Sequence, residues 1–247
     1  MKYSNLIKSA SFISTHELKQ EWAKTKSSEG ASMVETLLNR AEEEVKAGNT
    51  SKMELTTKMY TIAVDAWAKS REGGKAARRA ESILQHMFEM YKSGIHTNLK
   101  PSTGIFNAVV NSWAQSRDEI APARCEQILN WMDELYRNGN NDVKPDTYTY
   151  NTVMHAHVQS GKKDSATKVQ SILDSMNRMY REGNASAKPE TITYNIVINA
   201  LAKSGKVGAA SEAENLLSKM HMLHDMGDPN VKPNVVTYCA VVSDSRR

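Results

Sequence analysis

Asn107, Asn151 and Asn195 stand 44 residues apart, and the last two each complete the triplet Thr-Tyr-Asn (Thr149, Tyr150, Asn151; Thr193, Tyr194, Asn195). A further step of 44 lands on Cys239, directly after Thr237 and Tyr238, and a step of 46 upstream lands on Thr61, directly after Tyr60. Self-similarity with a period between about 20 and 50 residues marks a stack of like units. Each such unit has an apolar face that only its neighbours can cover, so the chain folds as an array and not around a single centre. Its length of 247 residues therefore gives no domain count.

The wording around each marker defines the unit. Lys-Pro precedes it four times, at Lys100-Pro101, Lys144-Pro145, Lys188-Pro189 and Lys232-Pro233, and proline forces the residue before it out of helical geometry, so a helix starts just after. Apolar residues then recur at helical spacing (Tyr150, Val153, Met154, His157; Tyr194, Val197, Ile198, Leu201) until Ser160-Gly161 and Ser204-Gly205 supply a left-handed stop. A second helical run carries a repeated stripe: Ile83, Leu84, Met87, Tyr91; Ile128, Leu129, Met132, Tyr136; Ile172, Leu173, Met176, Tyr180; Leu216, Leu217, Met220, His224. Those offsets put four side chains on one face, able to pack on the first helix of its own unit and of the next. The expected fold is all-α: an α-solenoid of tandem antiparallel helical hairpins with repeats of about 44 residues at 57–102, 103–146, 147–190 and 191–234. Trp22, 45 residues before Trp67, and Leu37-Leu38, 46 before Ile83-Leu84, place a degenerate repeat or cap at 1–56, with His16 at its marker position. Residues 235–247 read as the first helix of an incomplete repeat, which suggests a segment of a longer array.

Charge excludes little. Lys plus Arg is 32 against 28 for Asp plus Glu, a net +4 and a pI near 8.9, which permits nucleic acid without making phosphate attraction the main force. Cys125 and Cys239 form no bridge or zinc pattern, and no apolar run approaches the ~18 residues of a membrane span. The first 16 residues contain no acid and several Ser and Thr, a composition shared with organelle transit peptides.

Pro-Asp, then Thr-Tyr-Asn, then a helix closed by Ser-Gly, repeated in tandem hairpins, resembles the pentatricopeptide repeat family of RNA-binding helical solenoids. The likeness is closest over Val143 to Gly161 and Val231 to Tyr238, good over 57–247 and poor over 1–56; the long second helix departs from the usual unit. The resemblance implies a right-handed solenoid whose first helices line the concave side, one nucleotide per repeat, with the base chosen by the marker residue and the last residue of the unit. The implied pairs are Thr61 with Ser102, Asn107 with Asp146, Asn151 with Glu190, and Asn195 with Asn234, reading purine, U, pyrimidine, pyrimidine. It further implies base stacking at Lys58, Tyr148, Ile192 and Val236, with Gly104 unable to stack, and phosphate contact by Lys69 and Lys203, where Gln115 and Gln159 occupy the equivalent places. Single-stranded RNA and other RNA-processing proteins are the implied partners, in a mitochondrion or plastid, with no cofactor, membrane or small-molecule substrate.

The residues support the marker independently. Asn is a poor interior helix residue, and Asn151 lies too deep to be the N-cap after Pro145, a role that suits Asp146 or Thr147. An Asn ladder between repeats or contact with a base remains, and an amide with both donor and acceptor can read a base edge. The aromatics Tyr60, Phe106, Tyr150, Tyr194 and Tyr238 read as core between helices.

Two other classes fit less well. His155 and His157 point to different sides of a helix, His221, His224 and Asp225 fall where other units carry Tyr or Lys, and no phosphate loop or nucleophile elbow occurs, so an enzyme is not expected. A tetratricopeptide-like, protein-binding scaffold is the alternative, but its Trp, Leu-Gly, Tyr, Ala, Phe, Pro signature does not match.

Overall fold

The computed structural model describes residues 14–25, 27–48, 55–94, 96 and 98–244. Most of the transit-like stretch, residues 1–13, lies outside them. Within the described residues the secondary structure is helix and turn, with no strand.

First helices of the expected repeats are α1 (Thr15–Thr25), α3 (Thr57–Lys69), α5 (Thr103–Ser116), α7 (Thr147–Ser160), α9 (Thr191–Ser204) and α11 (Val235–Asp244). Second helices are α2 (Ser28–Lys46), α4 (Gly74–Lys92), α6 (Ala121–Arg137), α8 (Ser165–Arg181) and α10 (Ala209–Asp225). The chain forms two compact units, Met1–Asp118 and Glu119–Arg247. In the first, each of α1 to α5 packs on the next, and α3 also packs on α1 and on α5. In the second, α6 to α11 pack in the same sequential way, and α9 also packs on α7 and on α11. Within each unit the first helices thus form a continuous layer with the second helices laid against it, the architecture of an α-solenoid of helical repeats.

Local chemistry sets each helix boundary. Asp146 caps α7 by accepting from the Thr149 N–H at 2.8 Å, while its own N–H donates to Thr149 Oγ1 at 3.1 Å. Asn234 and Thr237 repeat that exchange at α11, at 3.2 and 3.0 Å. A threonine three residues into the helix thus does the reciprocal work that Glu or Gln does in the usual capping box. The residue that closes each sequence repeat is therefore the N-cap of the following helix. At the far ends Gly161 and Gly205 have φ of 62°, the left-handed stop expected from the sequence. Arg71 (φ 64°) and Arg117 (φ 56°) hold the same conformation without glycine's freedom.

Most of the expected stripe is core: Ile83, Leu84, Met87, Ile128, Leu129, Met132, Ile172, Leu173, Met176 and Met220 are buried, but Leu216, Leu217, Tyr91, Tyr136 and His224 are only half-buried and Tyr180 is exposed. Tyr60, Phe106, Tyr150 and Tyr194 are buried, as expected of aromatics between helices, but Tyr238 is exposed. A threonine at the first position of α3, α7 and α9 ties the start of its repeat to the loop that closes the same repeat. Thr57 Oγ1 shares its proton between the carbonyls of Asn98 and Lys100, Thr147 Oγ1 between those of Ser186 and Lys188, and Thr191 Oγ1 between those of Asn230 and Lys232, all at 2.8 to 3.1 Å.

Candidate nucleic-acid interface

Helical spacing carries one face of each first helix to the surface. On α3 that face bears Lys58, Thr61, Asp65 and Lys69; on α5, Gly104, Asn107, Asn111 and Gln115; on α7, Tyr148, Asn151, His155 and Gln159; on α9, Ile192, Asn195, Asn199 and Lys203. The first place in each stripe is exposed, and the apolar occupants are conspicuous: Tyr148 is 53% exposed, Ile192 59% and Val236 61%. Their chain neighbours on the opposite face, Tyr150 and Tyr194, are 0% and 2% exposed. The core therefore leaves these outward side chains free to meet something else.

One turn further in, Thr61, Asn107, Asn151 and Asn195 are all half-buried, neither sealed in the hairpin nor fully in water. Their partners differ. Thr61 Oγ1 donates to its own helix at the Thr57 carbonyl, 2.9 Å. Asn195 Nδ2 donates to Asn234 Oδ1 at 3.3 Å, joining a marker to the closing residue paired with it in the sequence. Asn195 Oδ1 accepts from Thr237 Oγ1 at 2.7 Å. The oxygen of Asn151 is buried and has no hydrogen-bond partner among the described residues. Asn195 thus spends its amide on the residues opening α11 and not on Asn151, so no Asn ladder links those two repeats.

The other closing residues are half-buried N-caps: Ser102 before α5, Asp146 before α7 and Glu190 before α9; Asn234 is exposed. Of the two lysines expected near phosphate, Lys69 is exposed and paired with Asp65 at 3.2 Å, and Lys203 is exposed with no acid partner among the described residues. On α7 the stripe carries no Asp, Glu, Lys or Arg, and desolvation holds His155 below the ordinary histidine range. Amides, hydroxyls and apolar surface dominate this face.

Sequence reasoning missed the fourth-residue step of the stripe (Asp65, Asn111, His155, Asn199), which varies too much to stand out. It also missed the bonds that hold the first helices in place. Trp67 Nε1 donates to Glu35 at 2.8 Å and Trp113 Nε1 to Glu81 at 2.8 Å, while His157 brings Nε2 to 2.8 Å from Glu126, close but out of line for a hydrogen bond. Tyr60 donates to Glu42 at 2.6 Å and Tyr150 to Asp133 at 2.9 Å. Burial, with the acid beside it, pushes the Tyr150 phenol well above the tyrosine range, and burial pushes Asp133 up against the opposing bond from Tyr150. These carboxylates are structural anchors. His221 Nε2 lies 3.1 Å from the Tyr238 hydroxyl and His224 Nδ1 3.3 Å from the Asp228 carbonyl. Among the described residues, no three His, Cys, Asp or Glu side chains converge to hold a metal.

Fold and surface define a helical-repeat protein that presents one surface stripe on each of α3, α5, α7 and α9, amide-bearing on the last three. A family model for the pentatricopeptide repeat domain matches residues 135–204, and one for the PPR repeat matches residues 192–223. Residues 135–223 are thus similar to pentatricopeptide repeats, which supports a pentatricopeptide repeat protein. Members of that family are in general RNA-binding helical-repeat proteins without enzymatic activity. No curated protein matches the chain.

Proposed function

We propose that the chain grips single-stranded RNA with one base per helical unit and acts by occupancy, in the stabilisation, processing or translation of a transcript. The observation that carries this reading is the stripe itself. An exposed side chain suited to a base face (Tyr148, Ile192) stands one helical turn from a half-buried amide (Asn151, Asn195) on α7 and α9. Stacking supplies affinity for any base, and a neighbouring donor and acceptor set supplies choice.

The base-selecting pairs are Thr61 with Ser102, Asn107 with Asp146, Asn151 with Glu190, and Asn195 with Asn234. Lys58, Tyr148, Ile192 and Val236 stack, and Lys69 and Lys203 reach phosphate, Lys69 by leaving Asp65. Family resemblance alone carries the expectations of a mitochondrial or plastid transcript and of other RNA-processing proteins as partners. Fluorescence anisotropy tests the core of the reading. Labelled single-stranded RNA should bind ahead of duplex DNA and of unrelated peptides, and Asn151→Ala should weaken it. Equal binding of all three, or preference for peptide, would replace this reading with a protein scaffold.

A further inference from the structure

The hydrogen bonds of Asn195 close into a ring that passes through the next helix. The Asn234 N–H donates to Thr237 Oγ1 at 3.0 Å, and the Thr237 N–H donates to Asn234 Oδ1 at 3.2 Å. Thr237 Oγ1 donates to Asn195 Oδ1 at 2.7 Å, and Asn195 Nδ2 donates to Asn234 Oδ1 at 3.3 Å. The Thr237 hydroxyl also lies 3.2 Å from Asn234 Oδ1, but it has a single proton to give. Asn234 Oδ1 already takes two N–H groups, so the proton goes to the nearer oxygen, that of Asn195. Turning the Asn195 amide over would set its oxygen against Asn234 Oδ1, acceptor facing acceptor. Thr237 is fully buried, which keeps water from replacing its hydroxyl.

We infer that Thr237, although it belongs to the following helical unit, is a positioning residue for base selection by Asn195 and Asn234; this rests on the RNA-binding reading above. The ring commits the Asn195 oxygen inward and the Asn234 oxygen to the start of α11. What remains to meet a base is a set of donors: the second N–H of Asn195 and the amide group of Asn234. A donor-only face complements an edge with two adjacent acceptors. Cytosine offers O2 beside N3, whereas uracil places an N3–H donor between its carbonyls. The Asn195 and Asn234 pair therefore selects cytosine over uracil, and it does so because Thr237 holds the amide in one orientation.

Thr193 occupies the same place one repeat earlier and its Oγ1 likewise accepts from the N-cap N–H, that of Glu190, at 3.1 Å, but the Asn151 oxygen has no hydrogen-bond partner among the described residues. Asn151 thus lacks the positioning bond that Asn195 has, and Thr193 is an internal control.

The test uses the full chain and pairs of short single-stranded RNAs that differ only in C or U at the nucleotide assigned to Asn195 and Asn234. Wild type should favour C by roughly tenfold, the discrimination a good two-bond base contact gives. Thr237→Val should bring the ratio close to one, Thr237→Ser should restore it, and Thr193→Val should leave it unchanged. Thr237→Ala, which needs no more room than threonine, carries the test should the valine variant not fold. An unchanged C to U ratio in Thr237→Val or Thr237→Ala overturns the inference while leaving RNA binding intact. Failure of wild type to bind either RNA overturns the underlying reading.

Discussion

Arg71 and Arg117 hold left-handed backbone conformations at places where other repeats have Gly161 and Gly205. An L residue there gives up about 1–2 kcal/mol, partly offset because glycine loosens the unfolded chain. Arg117→Gly should therefore stabilise the protein by about 1 kcal/mol, seen as a higher urea midpoint with an unchanged m-value; a lower midpoint would show that the arginine side chain does more than cap. Asp146 combines two roles at one position, since it caps α7 and closes a repeat. Asp146→Ala should cost about 1 kcal/mol of stability and also disturb base choice. Asp146→Asn keeps a capping oxygen, so its melting temperature should hold while the preference at its nucleotide moves away from strict U. A common loss in both variants would assign Asp146 to the helix alone.

Helices and their order were legible in the sequence because Pro, Gly and the 3.6-residue period act locally. Thr-Tyr-Asn marked the stripe, and Tyr150 and Tyr194 could be assigned to the core because they alternate with Tyr148 and Ile192. That the closing residue of a repeat is also an N-cap was harder to see, since the exchange with Thr149 or Thr237 is a matter of geometry. The anchors were invisible for another reason. Trp113 meets Glu81, and His157 meets Glu126, across 32 and 31 residues and between different helices. Nothing local distinguishes Glu81 from a surface acid. Glu81→Leu should leave a buried indole N–H without an acceptor and cost about 1–3 kcal/mol, with Glu81→Gln costing less; equal losses in a denaturation series would contradict the anchor. Burial holds His157 below the ordinary histidine value despite Glu126. The unfolded chain takes up that proton near pH 6.5 and the folded chain does not, so stability is lost as pH falls through that value. Melting of wild type and His157→Gln from about pH 7.5 to 5.5 should show the smaller fall in the variant.

Across the molecule the net charge of +4 and a stripe poor in formal charge leave little work for phosphate attraction. On the proposed reading, phosphate contacts from Lys69 and Lys203 alone would give a slope of about −1.4 in log K against log salt for a single strand. Stacking, at about 1–3 kcal/mol per base, has to supply most of the affinity, so binding should persist at moderate salt yet fall sharply in Tyr148→Ala. Selection from a random single-stranded RNA library, run on wild type and on Asn151→Thr, addresses the one-base-per-repeat claim directly. The predicted result is an enriched tract in both pools that differs only at the third nucleotide, from pyrimidine towards purine. Identical tracts in the two pools, or a change spread over every position, would contradict it.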